Sequence, residues 1–167
     1  MTQVATQAAV TSHTIAVEHI RISSERPFAD VRLRLERILP KYDASIAAAL
    51  RGGDQKRAKD YEVRGPSLSI ENEVDHGGLL QIAGGKRNAL LYEIGNPLTA
   101  LKMTRHQLAA GLYLPLRVVL FEDEQGKGVF EFDRPSSLLS QYGDERVAEV
   151  GRHVEAVLEA ALRKAAE

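Results

Sequence analysis

The sequence contains no cysteine and no tryptophan, and aromatic residues make up only 5% of it. The lack of cysteine excludes disulfide bonds, thiolate metal ligands and cysteine nucleophiles. The scarcity of aromatic rings disfavours a surface on which the bases of a single strand could stack. A net charge of −1 gives the chain no overall attraction to polyanions. We therefore expect no nucleic-acid partner.

Long apolar runs are also missing. No stretch approaches the roughly 20 apolar residues that a membrane-spanning helix needs. The first residues, MTQVATQAAVTSH, lack the basic start and apolar core of a secretory signal. We therefore expect a cytoplasmic protein that does not contact a membrane. An apolar content of 44% over 167 residues favours a single domain, residues 1–167, with a loose segment over residues 1–11.

The hydrophobic pattern predicts five strands and about four helices. The strands fall at residues 13–23, 67–74, 90–94, 116–121 and 129–133, and the first needs a β-bulge near Glu18 and His19 to keep its apolar residues on one face. The helices fall at residues 28–39, 43–50, 97–106 and 145–162. The strands do not alternate one by one with long helices, and the last two are joined by the hairpin loop EDEQGKG.

This order of elements indicates an α+β fold of two layers, in which a mostly antiparallel sheet of about five strands has helices packed on one face. The run at 116–121 is the most apolar strand, so we expect it at the centre of the sheet. The apolar runs at 90–94 and 116–121 suggest that the second face of the sheet is also partly covered. A homodimer would provide that cover.

The segment LLYEIGNPLTALKMTRHQLAAGLYLPLRVVLFED, residues 90–123, contains the densest apolar runs in the chain. Gly95 can adopt positive φ where the chain reverses at a strand end. Asn96 is a good N-cap and Pro97 suits the first helical position. Because a helix start carries unpaired N–H groups and the positive end of the helix dipole, it is a place where an anion could bind. The alternative is that this turn merely connects a strand to a helix.

Several short blocks occur together in this chain: DHGG at 75–78, IGNPL at 94–98, MTRH at 103–106, LYLPLRVVLFED at 112–123 and FEFDRPSSLLSQYGD at 130–144. In this order they resemble the domain of unknown function 302 family over roughly residues 65–165. The resemblance implies a compact bacterial α+β domain that is often dimeric, and it supplies neither an activity nor catalytic residues. The charged segment at 54–64 departs from many relatives and stays unassigned.

Two histidines, His76 and His106, stand at the ends of predicted elements, where functional side chains are often presented. If the sheet brings them together, they could act as a general acid and base. With Asp75 they would also number three potential metal ligands, but neither an HxH nor an HExxH spacing occurs. The alternative is structural: Asp75 caps a turn, and His106 ends a helix near the negative end of its dipole. We therefore predict neither a metal nor a cofactor.

The leading hypothesis is a homodimer that binds a small anionic molecule, with an enzyme using His76 and His106 on a carbonyl or carboxylate substrate as the alternative. A purely structural interaction module is the third possibility, so the sequence does not settle whether the protein is an enzyme. The predicted ligand-binding residues are Asp75, His76, Asn96, Lys102, Arg105, His106 and Tyr113.

Overall fold

The fold is built around one antiparallel sheet, seen in a computed structural model that describes residues 8–167. Its five strands lie in the order β1-β5-β4-β3-β2. They are β1 (His19–Pro27), β2 (Ser69–Asp75), β3 (Ala89–Gly95), β4 (Leu116–Glu122) and β5 (Lys127–Asp133). The predicted α+β class and five-stranded antiparallel sheet are confirmed, and the strand expected at the centre is the central strand β4.

Within residues 8–167, seven α-helical segments accompany the sheet. They are α1 (Phe28–Ile38), α2 (Ala44–Arg51), α3 (Gln55–Arg64), α4 (His76–Leu79), α5 (Pro97–Thr104), α6 (Pro135–Leu139) and α7 (Glu145–Ala166). Short 3₁₀ turns follow at Leu80–Ala83, Leu108–Tyr113 and Ser140–Tyr142. The charged segment that the sequence left unassigned is therefore helix α3. The sequence pattern predicted fewer helices because α4 is too short to show a helical period and the charged α3 has few apolar residues.

Aspartate side chains start four of these helices, α2, α3, α4 and α7. Asp43 accepts a hydrogen bond from the Ser45 backbone, Asp54 from Arg57 and Asp144 from Arg146. A short polar side chain at this position satisfies one of the N–H groups that the first helical turn leaves unpaired. The caps at Asp43 and Asp144 agree with the helix starts that the sequence predicts.

The core lies between one face of the sheet and the helices α1 and α7. Tyr92, Val118 and Phe130, which face this layer from three adjacent strands, are fully buried. Val31 and Leu35 of α1 and Leu158 and Leu162 of α7 pack against them. The amphipathic stripe read from the α7 sequence is thus the face that this helix buries.

The opposite face of the sheet, called here the open face, carries the alternate residues of each strand. Its centre is apolar and consists of half-buried Leu91, Val119 and Phe121. Charged residues of both signs surround this centre, and one of them, Arg21, pairs with Glu131 at 2.6 Å. The other charged positions on this face are His19, Glu93, Arg117 and Asp133.

Two edge strands differ from the sequence prediction. β1 begins at His19, so the strand expected from residue 13, and its bulge near Glu18 and His19, are wrong: residues 8–18 lie outside any strand. Ile20 and Ile22 pair with β5, whereas residues 8–18 have no strand partner. In β2, an irregularity between Ile70 and Asn72 shifts the register. Unbroken alternation would place Val74 on the same face as Ile70, but the shift places it opposite Leu91 on the open face.

The carboxyl end of α7 is tied to the first strand and the first helix. Ser24 donates its hydroxyl to the carbonyl of Ala166, and Arg26 donates to that of Glu167 at 2.7 Å. Arg34 of α1 donates to the Ala165 carbonyl at 3.1 Å. These bonds satisfy carbonyls that the last turn of a helix cannot pair internally.

In the described residues, no helix combines the length and the apolarity that crossing a membrane requires. The loose segment expected over residues 1–11 lies outside the described residues as far as residue 7, and residues 8–11 belong to neither a helix nor a strand.

Candidate functional site

The start of helix α5 is built as the sequence predicts. The Asn96 side-chain oxygen accepts hydrogen bonds from the backbone N–H of Leu98 at 2.9 Å and of Thr99 at 3.2 Å. The next N–H, that of Ala100, bonds the Asn96 carbonyl, and Pro97 has no N–H to offer. The chain itself therefore occupies the backbone donors of this turn, which removes the donors on which the anion-binding hypothesis rested.

The predicted cations near this helix are dispersed. Lys102 pairs with Glu62 of α3 at 2.9 Å. Arg105 and His106, at the end of α5, are exposed. Of the predicted site residues Lys102, Arg105 and His106, only the first two border a common surface depression, which Glu62 also borders. These cations do not converge on the helix start.

Asp75 and His76 lie at the other end of the sheet. Asp75 pairs with Leu90 near the start of β3, whereas α5 follows the end of that strand. A strand of this length spans about 20 Å. His76 and His106 therefore cannot share one pocket within a chain. The Asp75 side chain caps α4 by accepting from the Gly78 N–H at 2.8 Å, in agreement with the alternative interpretation in which Asp75 caps a turn.

Tyr113, the last of the predicted site residues, takes part in a small second core. Its ring lies 6.4 Å from that of Tyr142, and its hydroxyl accepts from the Gln141 side chain at 2.9 Å. Met103 and Leu139 are among the buried residues of this cluster. Of the seven predicted residues, Asn96 alone borders the cleft described next.

A cleft with a volume of about 330 Å³ lies between α5 and the ends of β2, β3 and β4. Its lining includes Ile94, Leu116 and Pro115, which follows a cis peptide bond. Apolar side chains dominate the lining, and Asn96, Thr99, Thr104 and Glu71 supply its polar atoms. A concave, mainly apolar cleft with a few polar groups is typical of a small-molecule site.

Among the residues that the structure describes, Glu71 is the one charged side chain that borders this cleft. It is the extra residue at the β2 irregularity, and its carboxyl lies over Gly95. A Cβ atom at position 95 would stand 2.5 Å from Oε1 of Glu71, so Gly95 provides the space that the carboxyl occupies. Gly95 does not have the positive φ that the sequence suggested. Close approach of a side chain is the reason that glycine stands there.

The Glu71 carboxyl is electrostatically unfavourable in this position. Burial of the carboxyl, and secondarily the Glu93 carboxylate, raises its pKa above the ordinary value. Although the residue as a whole is exposed, no described group donates a hydrogen bond to the carboxyl. Partly desolvated carboxylates usually have such a partner. Sequence reasoning missed Glu71 because a bulge is visible only in the strand register; its one signal is a glutamate directly after the buried Ser69 and Ile70.

A smaller hollow of about 150 Å³ adjoins the cleft and shares Leu68, Asn96, Thr99 and Val154 with it. Tyr61 of α3 lines this hollow, is only 8% exposed and has a hydroxyl without a hydrogen-bond partner among the described residues. Lys102 and His153 also border it. Polar groups are thus denser in this hollow, and apolar surface dominates in the cleft.

The described residues contain no group of three or more histidine, aspartate or glutamate side chains arranged to hold a metal ion. His106 in particular is separated from Asp75 and His76 by the length of the sheet, because Asp75 and His76 lie at one end and α5 at the other.

Comparison with known proteins supports the fold and the family. No curated protein matches the chain. Among solved structures, the chain resembles the crystal structure of an uncharacterized conserved protein of Bacillus stearothermophilus, a DUF302 protein, with a TM-score of 0.65 and 18% identity. The match covers 88% of this chain and 97% of the other. The family model for the domain of unknown function DUF302 matches residues 62–165, which include β2 to β5, the cleft and nearly all of α7. The chain therefore belongs to the DUF302 family.

Proposed function

We propose that the protein binds a small, largely apolar molecule in the cleft beside Asn96, as a cytoplasmic homodimer. The observation that carries the binding proposal is the cleft itself, whose 330 Å³ lies within the range of about 300–1,000 Å³ typical of ligand pockets. Its lining offers apolar contact from strand ends and a helix, with few polar atoms to orient a ligand.

The expected anionic character of the ligand has little support in this cleft. The donors at the start of α5 are occupied by Asn96, and the only charge on the lining is the Glu71 carboxylate. A carboxylate repels an anion at short range. The proposal therefore keeps the small ligand and drops the preference for a negative charge.

The enzymatic alternative required His76 and His106 to exchange protons with one substrate. Proton transfer needs each group within hydrogen-bond reach of the substrate, directly or through one water. The two histidines lie at opposite ends of the sheet, so this acid–base pair has no geometric support within one chain.

Fragment binding followed by amide chemical shifts tests the cleft directly. With neutral apolar fragments such as cyclohexanol and indole, we expect the largest shift changes at Gly95, Thr99 and Ala100. Ala100→Phe fills the cleft and should abolish these changes. The matched control Ala156→Phe adds the same ring to an exposed position of α7 and should leave them intact. Shift changes confined to other surfaces, or equal in both variants, would refute the proposal.

The homodimer is supported by the open face. Its apolar centre of Leu91, Val119 and Phe121 stands among residues of both charge signs, including Glu93 opposite Arg117 in the register. A twofold interface joins one surface to an identical copy, so it needs a patch that complements itself, and mixed charges around an apolar centre meet that need.

Light scattering during gel filtration tests this assembly. We expect a dimer for the wild type and a monomer for Val119→Arg, which places a charge in the apolar centre. Leu33→Arg is the matched control, because Leu33 is an exposed leucine of α1 with 52% of its surface accessible. A wild type that stays monomeric at high concentration contradicts the dimer.

A further inference from the structure

Glu71 has surroundings that no contact among residues 8–167 explains. Its carboxyl lies over Gly95 at the margin of a cleft whose other lining residues, Pro115 among them, are mostly apolar. No described residue donates a hydrogen bond to it. A carboxylate in this position gains from any donor that enters the cleft, because a hydrogen bond to a desolvated charge is stronger than one in water.

The ionisable groups around Glu71 indicate which kind of hydrogen-bond donor its carboxyl would favour. Glu93, on the adjacent strand β3, adds a second negative charge and raises the pKa of the Glu71 carboxyl further. Tyr42 and Tyr61 face the same carboxyl: burial, and less strongly the Glu71 charge, raises the pKa of both hydroxyls. None of the groups that act on Glu71 is a cation. The site therefore has excess negative charge beside a hydrocarbon-lined space.

We propose that the ligand of the cleft carries a protonated amine, which pairs with the Glu71 carboxylate while its hydrocarbon part lies between Ile94, Leu116 and helix α5. This assignment rests on the proposed small-molecule function of the same cleft. An ammonium group supplies the missing positive charge and hydrogen-bond donors in one step.

A metal ion is a poorer occupant of this position. Calcium and magnesium take several oxygen ligands, and the described residues bring no third acidic or histidine side chain to Glu71 and Glu93. A metal would also leave the apolar lining of the cleft without a contact. An organic cation uses both the carboxylate and the lining.

The test compares three probes that share one hydrocarbon chain: hexylamine, hexan-1-ol and hexanoate. Their dissociation constants are measured by amide chemical-shift titration at neutral pH. We expect hexylamine to bind about tenfold more tightly than hexan-1-ol, the size of effect expected for a hydrogen bond to a charged group. Hexanoate should bind most weakly of the three.

Variants assign this preference to the carboxylate. Glu71→Gln should bring hexylamine to the affinity of hexan-1-ol while leaving hexan-1-ol unchanged. Glu149→Gln removes the same charge from an exposed position of α7 and should preserve the tenfold preference. Lowering the pH should weaken hexylamine but not hexan-1-ol in the wild type, because protonation removes the charge that holds the amine.

The outcomes separate the two proposals. If hexan-1-ol binds in the cleft as tightly as hexylamine, or if Glu71→Gln retains the preference, the amine assignment is wrong and the cleft remains a binding site. If none of the probes shifts the amides of Gly95, Thr99 and Ala100, the proposed function fails and the amine assignment fails with it.

Discussion

The carboxyl of Glu71 occupies the space where a side chain at position 95 would stand, 2.5 Å from the Cβ that glycine lacks. A bulged residue on one strand and a glycine on the next thereby make a single feature of the cleft margin. The contact also involves Pro115, whose Cβ would lie 3.3 Å from a new methyl group. Glu71, Gly95 and Pro115 determine the shape of this margin together.

The same contact predicts an unusual result for Gly95→Ala. The atom that the methyl group meets is the end of a flexible side chain, so the Glu71 carboxyl can turn toward solvent, and we expect a stability change within about 1 kcal/mol. Gly77→Ala is the contrasting variant, because its methyl group would collide with the backbone of Arg87 and Ala89. There we expect a loss of about 1–3 kcal/mol or more. Urea unfolding followed by circular dichroism measures both, and equal losses would contradict the distinction.

Glu71→Gln should stabilise the protein near neutral pH. The pKa of Glu71 is raised above 4.5 in the folded state. The unfolded chain therefore releases this proton more readily, and stability falls as the pH rises through the folded pKa. Glutamine has no proton to lose, so its advantage should be present at about pH 7 and should vanish toward about pH 4.

Thermal unfolding of the wild type and Glu71→Gln across this pH range measures the effect. Glu149→Gln, at an exposed position, serves as the control and should show a much smaller pH-dependent difference. An advantage of Glu71→Gln that grows toward acid pH would show that the carboxyl is stabilised, not strained, in the fold.

Asn96 has two separable roles, as the cap of α5 and as a donor to the Pro66 carbonyl at 2.9 Å. Asn96→Ala loses both and should cost about 1–2 kcal/mol of unfolding free energy. Asn96→Asp keeps an oxygen that can cap but loses the amide donor, so its loss should be smaller. Asn72→Ala, at an exposed position of β2, is the control for urea unfolding and should change little. Equal losses for Asp and Ala would assign the whole effect to the Pro66 bond.

Asp144, the cap of α7, should make stability depend on acid pH. Its hydrogen bond from the Arg146 side chain, with backbone bonds, lowers the pKa of the carboxyl from 3.8 to about 2. A carboxyl whose pKa is lowered by folding contributes stability above its unfolded pKa and loses that contribution as the pH falls through the folded value. Asp144→Asn keeps an uncharged cap, so the wild type should gain relative to this variant between about pH 2 and pH 4 and stay level above about pH 5.

Urea unfolding of both proteins over this range provides the measurement. A difference between them that keeps changing above pH 5 would assign the effect to another group.

The elements that the sequence predicted well are those whose signals are local. Asn96-Pro97 starts a helix because the amide caps and the proline tolerates the first turn, and Asp43 and Asp144 start helices for the same reason. The apolar run at Leu116 to Phe121 forms the central strand of the sheet, with two strands on either side of it. None of these assignments requires knowledge of a distant residue.

The elements that the sequence missed depend on pairing between distant residues. β1 starts at His19 because its pairing with β5 starts there, opposite Asp133, the last residue of β5. The pattern of residues 13–18 contains no information on where β5 ends. Val74 changed face because of a one-residue register shift opposite β3. The predicted site residues are not brought together for the same reason. The residues around Asp75 and those around Asn96 lie at opposite ends of the sheet. Glu71 became the candidate site residue only through Gly95, which lies 24 positions away in the chain.

The bonds that join Ser24, Arg26 and Arg34 to the last carbonyls of α7 have a consequence for biosynthesis. The strand made first lies at the edge of the sheet, and both its strand partner and the helix that it anchors are made in the last third of the chain. During translation β1 therefore cannot pair with β5 or bind the end of α7 until α7 has left the ribosome. We expect a truncated nascent chain that lacks α7 to remain protease-sensitive near β1 and to become resistant in one late step.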